Sequence, residues 1–137
     1  MPSDGKLLLI VDDFEGVQYP YRYLLAQEGF RVEFATDGQD AVDKALTLQP
    51  DVIFMDVSLP VFDGWEAARR LRADERTKKI PVVMLTAFAL ESARAHVVEA
   101  GFDGMLSKPC KPEKIHAEVD RVLACRIPTT IQARNPA

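Results

Sequence analysis

Three stretches of the chain are apolar almost without interruption: Leu7-Leu8-Leu9-Ile10-Val11, Val52-Ile53-Phe54-Met55 and Pro81-Val82-Val83-Met84-Leu85. Runs this short, with no polar alternation, predict strands buried on both faces of a parallel sheet. A weaker run, Gly104 to Ser107, predicts one more strand. Arg31-Val32-Glu33-Phe34 instead alternates polar with apolar, as a half-exposed strand at a sheet edge does.

Helical periodicity fills the gaps. Val17, Tyr21, Leu24 and Leu25 form an amphipathic stripe closed by Gly29. Pro20 interrupts that stripe. An interior proline costs a helix roughly 3 kcal/mol or more, so a kink or a late helix start is expected there. Asp37-Gly38 opens a second helix with Ala41, Val42, Ala45 and Leu46 on one face, closing before Pro50. The stretch Val57 to Gly64 is a loop by its Pro60 and Asp63-Gly64 punctuation, and a third helix runs on through Trp65, Ala68 and Leu71. The charged segment Arg72 to Lys79 closes that unit. A fourth helix is expected from about Leu90, carrying Ala93, Val97 and Val98 and ended by Gly101. Pro112 suits the first turn of a fifth, whose inner face is Ile115, Val119, Val122 and Leu123. From Arg126 onward no period is sustained, so residues 1–125 are expected to form the domain and 126–137 a disordered tail or truncated linker. Five βα units of this kind predict an α/β fold built on a doubly wound five-stranded parallel sheet.

A chain of 137 residues, 47% apolar and 28% charged, is long enough for one self-sufficient core. Its formal charge of −4 disfavours direct nucleic-acid binding. Cys110 and Cys125, without a signal-like N-terminus, suggest reduced thiols in the cytoplasm. No apolar run reaches membrane-spanning length.

The chemistry gathers where the strands end. Asp12-Asp13 follow the first strand, Asp56 ends the third, Thr86 the fourth, and Lys108-Pro109 follow the fifth. In open α/β sheets the carboxyl rim is where ligands collect. Asp alone at such a place is more often a turn or helix-capping residue. In the strand order 2-1-3-4-5 the first and third strands are neighbours, which brings Asp12, Asp13 and Asp56 together. Each like-charge pair about 4 Å apart costs about 4 kcal/mol at an effective dielectric near 20. Three carboxylates and one ammonium sum to −2, the charge one divalent ion balances. Oxygen ligands without nearby His or Cys favour Mg²⁺, an ion that shares its shell with phosphate oxygens.

These residues, with Pro60 and Asp63-Gly64 behind Asp56, resemble the receiver domains of two-component response regulators over about Lys6 to Leu123. The resemblance implies a flavodoxin-like (βα)5 fold like that of the chemotaxis response regulator. It implies a phosphoacceptor at Asp56, charged by a histidine kinase or histidine phosphotransfer protein. Mg²⁺, with Mn²⁺ as a substitute, would be held by Asp13, Asp56 and the backbone carbonyl of Ser58, with Asp12 acting mainly through water. Thr86 and Lys108 would stabilise the phosphoryl group. The signal would leave through the fourth helix, fifth strand and fifth helix, toward a downstream protein or output domain, with the chain a monomer or a phosphorylation-dependent dimer. Such a domain is a signalling module rather than a conventional enzyme.

The chain departs from the family in places. Met105 stands at the switch position that usually holds Tyr or Phe, and its thioether lacks both hydroxyl and rigidity. Cys110 stands where Phe often follows Lys-Pro, and Pro20 interrupts a helix that usually helps dock the phosphodonor. Among Tyr19, Tyr21 and Tyr23, one core and two surface rings are expected, and Trp65 is expected to pack. His96 and His116 are read as solvated surface residues.

Other functions fit less well. A haloacid dehalogenase-type phosphatase wants a second Asp two residues after its nucleophile, where this chain has Ser58. A Rossmann oxidoreductase needs a Gly-rich turn after the first strand, and Asp12-Asp13-Phe14-Glu15-Gly16 is not one. A phosphorylation-independent binding module would leave its acidic site free to decay, yet each acidic, Thr and Lys position is filled.

Overall fold

The computed structural model describes residues 5–12, 18–56, 63–86, 101–107 and 111–125. Five parallel strands, β1 (Leu7–Val11), β2 (Arg31–Ala35), β3 (Val52–Asp56), β4 (Val82–Thr86) and β5 (Gly104–Ser107), form one sheet in the order β2-β1-β3-β4-β5. The doubly wound order that the family resemblance implies is the one observed. Four helices are described: α1 (Gln18–Gln27), α2 (Gly38–Leu48), α3 (Gly64–Ala73) and α4 (Pro112–Cys125). The helix expected from about Leu90 and the tail 126–137 lie outside the described residues, so α4 is the helix the sequence places fifth.

Side-chain alternation sorts the core into two layers. Leu8, Ile10, Val52, Phe54, Val83 and Leu85 face Leu25 of α1 and Ile115, Val119 and Val122 of α4. Leu9, Val11, Ile53, Met55, Val82 and Met84 face Ala41 and Ala45 of α2 and Ala67, Ala68 and Leu71 of α3. The small side chains at the second layer allow α2 and α3 to approach each other and the sheet closely. Because both faces are covered, β1 and β3 are buried at every position, which is why their sequence shows no alternation. β2 sits at the sheet edge with Arg31 and Glu33 exposed and Val32 and Phe34 buried, as its alternating sequence predicts.

The helix ends follow local chemistry. Asp37 caps α2 by accepting from the Asp40 backbone N–H at 2.7 Å, and Asp63 caps α3 through Glu66 N at 3.1 Å. Gly29, at φ +94°, closes α1 in a left-handed turn while Phe30 N donates back to Leu25 O. Pro20 falls in the first turn of α1 as described, where its missing N–H breaks no helical bond, and residues 13–17 ahead of it lie outside the described residues.

Two readings of side chains need correction. Leu24, expected on the buried stripe of α1, is 39% exposed, whereas Leu25 is fully buried and Tyr21 packs partly against the core. At 100° per residue the burying face centres on positions 21, 25 and 28, and Leu24 falls on its flank. His116 is not a solvated surface residue. Its Nδ1 lies 2.6 Å from Glu28 Oε1 and its ring meets Phe30 edge-on at 5.0 Å, joining the end of α1 to α4. Asp120, one turn along α4, lies 3.8 Å from its Nε2. Tyr23 is exposed, as expected for two of the three tyrosines, and Trp65 packs edge-on against Phe102 at 5.6 Å while staying 37% exposed.

Candidate functional site

The β1–β3 register pairs Val11 with Met55, so one further step sets Asp12 opposite Asp56. On its other side Asp12 is tied to β2, its N–H donating to Ala35 O at 3.0 Å. Strands lie about 4.8 Å apart, so these two acids leave neighbouring backbones side by side. Both follow the alternation of Ile10 and Phe54 onto the α1 and α4 side of the sheet, and both are nearly buried, at 3% and 7% exposure.

The other rim residues take their places by register. Asp56 pairs with Leu85, which puts Thr86 one step beyond it on β4, and Thr86 in turn pairs with Ser107. Thr86 is half-buried at the end of its strand. Lys108 follows Ser107 in sequence, but it lies outside the described residues, as do Asp13 and Ser58. The structure therefore brings together Asp12, Asp56 and Thr86 and leaves the other three unplaced. Among the described residues no group of three or more His, Cys, Asp or Glu side chains forms a metal cage. Met105 pairs with Met84 and is buried in the α2 and α3 layer with Phe102, one layer away from the acids.

At the opposite, amino-end edge of the sheet Arg72 and Asp103 hold β4 and β5 in place, a role that the sequence pattern does not mark. Arg72 donates from Nε to Gly101 O at 2.8 Å, from Nη1 to Lys78 O at 2.8 Å and Ile80 O at 2.7 Å, and from Nη2 to Asp103 Oδ2 at 2.5 Å. Asp103 Oδ2 also accepts from Val82 N at 2.9 Å. One guanidinium thus ties the end of α3 to the starts of β4 and β5, which deliver Thr86 and Met105. Its partners lie up to 31 residues away, so no local pattern marks it.

The family model for the response regulator receiver domain matches residues 8–120. The chain belongs to that family. It is 37% identical over 119 residues to the alkaline phosphatase synthesis transcriptional regulatory protein PhoP of Bacillus subtilis, covering 87% of this chain and 49% of that protein. The chain spans about half the length of the curated relatives it matches first, with 49%, 48% and 52% of their lengths covered. Among solved structures it resembles the chemotaxis response regulator CheY4 of Vibrio cholerae, with a TM-score of 0.79 and 32% identity over 86% of this chain and 98% of that one. It also resembles the receiver domain of the sensor histidine kinase PA1611 of Pseudomonas aeruginosa PAO1, with a TM-score of 0.78 and 35% identity over 88% and 98%. That receiver domain holds a magnesium ion in its active-site cleft. Receiver domains of two-component systems are signalling domains, and this one has no described helix long and apolar enough to cross a membrane.

Proposed function

We propose that Asp56 accepts a phosphoryl group from a histidine kinase or histidine phosphotransfer protein in the cytoplasm. The observation that carries this reading is the burial of Asp12 and Asp56 side by side at the carboxyl rim of β1 and β3. A carboxylate oxygen of Asp56 attacks phosphorus, the new P–O bond forms as the donor's P–N bond breaks, and the electron pair leaves on the donor imidazole. Asp56 is suited to this role because its backbone is paired with Leu85 of β4 and follows Met55, which is paired with Val11 of β1, so little orientation remains to be found.

The donor set at this rim, carboxylates without His or Cys, fits Mg²⁺ and tolerates Mn²⁺. Asp12, Asp13, Asp56 and the Ser58 carbonyl would hold the ion, with Asp12 acting mainly through water. When bound, it neutralises the charge on approaching phosphoryl oxygens. The Thr86 hydroxyl donates a hydrogen bond to one phosphoryl oxygen, and the Lys108 ammonium pairs with another.

The phosphorylated group is larger and more negative than the carboxylate, so drawing Thr86 and Lys108 inward shifts the loop after β4 and the start of the segment after β5. The surface of the expected fourth helix, β5 and α4 then changes toward a downstream protein, an output domain or a second copy. Met105 fills the switch position without a ring, which leaves inactive and active forms closer in population than an aromatic switch would. The experiment is incubation with Mg²⁺ and acetyl phosphate followed by intact mass. The wild type gains one phosphoryl group and Asp56→Asn gains none, and equal labelling of that variant would overturn the assignment.

A further inference from the structure

The outer edge of β2 is closed by side chains from both layers of the fold. Arg31 N donates to Lys6 O and Ala35 O accepts from Asp12 N, so residues 31 and 35, and Glu33 between them, direct their backbone groups inward to β1. Alternation then turns the backbone groups of Val32, Phe34 and Thr36 outward, away from the sheet. Each of these three residues has an outward group already engaged. Arg22 Nη1, from α1, donates to Val32 O at 2.7 Å, and its guanidinium lies 5.2 Å from the centre of the Phe34 ring. Lys44 Nζ, from α2, donates to Phe34 O at 2.5 Å. Asp40, paired with Lys44 at 3.6 Å, accepts from Thr36 N at 3.4 Å.

Arg22 and Lys44 come from helices on opposite faces of the sheet and meet at its one alternating strand. Their donors occupy both outward carbonyls that an added strand would need. An exposed edge of this kind is a template for pairing with another chain.

We propose that β2 is a self-complementary strand-pairing surface whose occupant is a second copy of this chain, and that Arg22 and Lys44, with Asp40, hold it shut. The sequence of the strand selects the partner. In a two-fold antiparallel pair centred on Val32, the two Val32 residues exchange N–H···O bonds and Arg31 of each copy faces Glu33 of the other. Centring the pair on Glu33 instead sets the two carboxylates against each other, which disfavours that register. The exposed pair Arg31 and Glu33 is thus matched to its own mirror in one register only. This inference does not depend on the phosphoacceptor assignment, because the edge lies apart from the acids.

The test replaces both clasps with residues of similar stem length, Arg22→Met with Lys44→Met, in the full 137-residue chain. Sedimentation is followed over a wide concentration range, alongside far-UV circular dichroism and amide exchange. The double variant should keep the wild-type spectrum and shift toward twice the chain mass as concentration rises. The Val32 and Phe34 amides, which point outward, should slow in exchange with that shift, while the same amides in the wild type stay fast at every concentration. Adding Glu33→Arg should return the double variant to a monomer, since it sets arginines opposite Arg31. A folded double variant that stays monomeric overturns the proposal, as does a dimer that leaves those two amides unprotected or survives Glu33→Arg. If the double variant loses its fold, the two single variants carry the same measurements, and the absence of association in both overturns it equally.

Discussion

Replacing Arg72 with methionine keeps the aliphatic stem and removes the guanidinium. Four donated hydrogen bonds disappear, to Gly101 O, Lys78 O, Ile80 O and Asp103 Oδ2. Bonds of this sort contribute about 0.5–1.5 kcal/mol each, and more when a charge is involved. The Arg72 side chain is 24% exposed and Asp103 39%, so the ion pair itself is partly screened and the freed carbonyls regain some water. A loss of about 2–3 kcal/mol follows, which for a domain of this size lowers the melting midpoint by roughly 10 °C. Arg69 is the internal control. Its two bonds to Glu66 are as short, at 3.0 and 2.6 Å, yet it is 70% exposed and its partner is shared with Arg70. Arg69→Met should therefore move stability by no more than about 0.5 kcal/mol. Urea and thermal unfolding of the two variants measure the contrast, and amide exchange at Val82, whose N–H is held by Asp103, reports the local loosening. If Arg72→Met melts alongside Arg69→Met, or if Val82 exchange is unchanged, the clamp between α3 and the starts of β4 and β5 is not what the geometry implies.

Four further outcomes are expected. Mg²⁺ at about a hundred times its dissociation constant should stabilise the wild type by about 2.7 kcal/mol, and Asp13→Ala should lose most of that gain in a melting titration. Paired hydrogen bonds from Arg69 and then Arg70 lower the Glu66 carboxyl from an ordinary 4.5 to about 2, so this acid adds stability above pH 4.5 that is lost as pH falls toward 2. Glu66→Gln should flatten that part of the acid unfolding curve, and superimposable acid limbs would count against it. Met105→Ala, opening space beside Met84 and Phe102, should cost about 2–5 kcal/mol. Met105→Tyr should keep the fold and sharpen the NMR shifts that beryllofluoride induces in residues 101–107, and an unsharpened response would remove Met105 from the switch.

The sheet was legible because each layer leaves its own mark on the strands. β1, β3 and β4 are covered on both sides and read as unbroken apolar runs, while β2 at the edge reads as alternation. Asp12, Asp56 and Thr86 were legible as strand-end residues for the same reason: a run that stops in a polar residue marks the rim. What escaped were side chains whose partners are distant in sequence. His116 looked solvated because Glu28 lies 88 residues away, although Asp120 four residues on was a visible acid at helical spacing. Arg72 looked like part of a charged run, and only the folded chain brings Gly101 and Asp103 to it. Leu24 was misplaced because a stripe of four apolar residues is wider than the face that α1 buries.

The central claim, that Asp56 forms the acyl phosphate, is tested most directly by trapping it. After phosphorylation with acetyl phosphate and Mg²⁺, borohydride reduces an acyl phosphate to the alcohol, and peptide mass spectrometry then reads which side chain was changed. The account predicts reduction at Asp56 alone, converting it to homoserine, with Asp12, Asp13 and Asp63 untouched. Reduction at any of those three, with Asp56 intact, would contradict it.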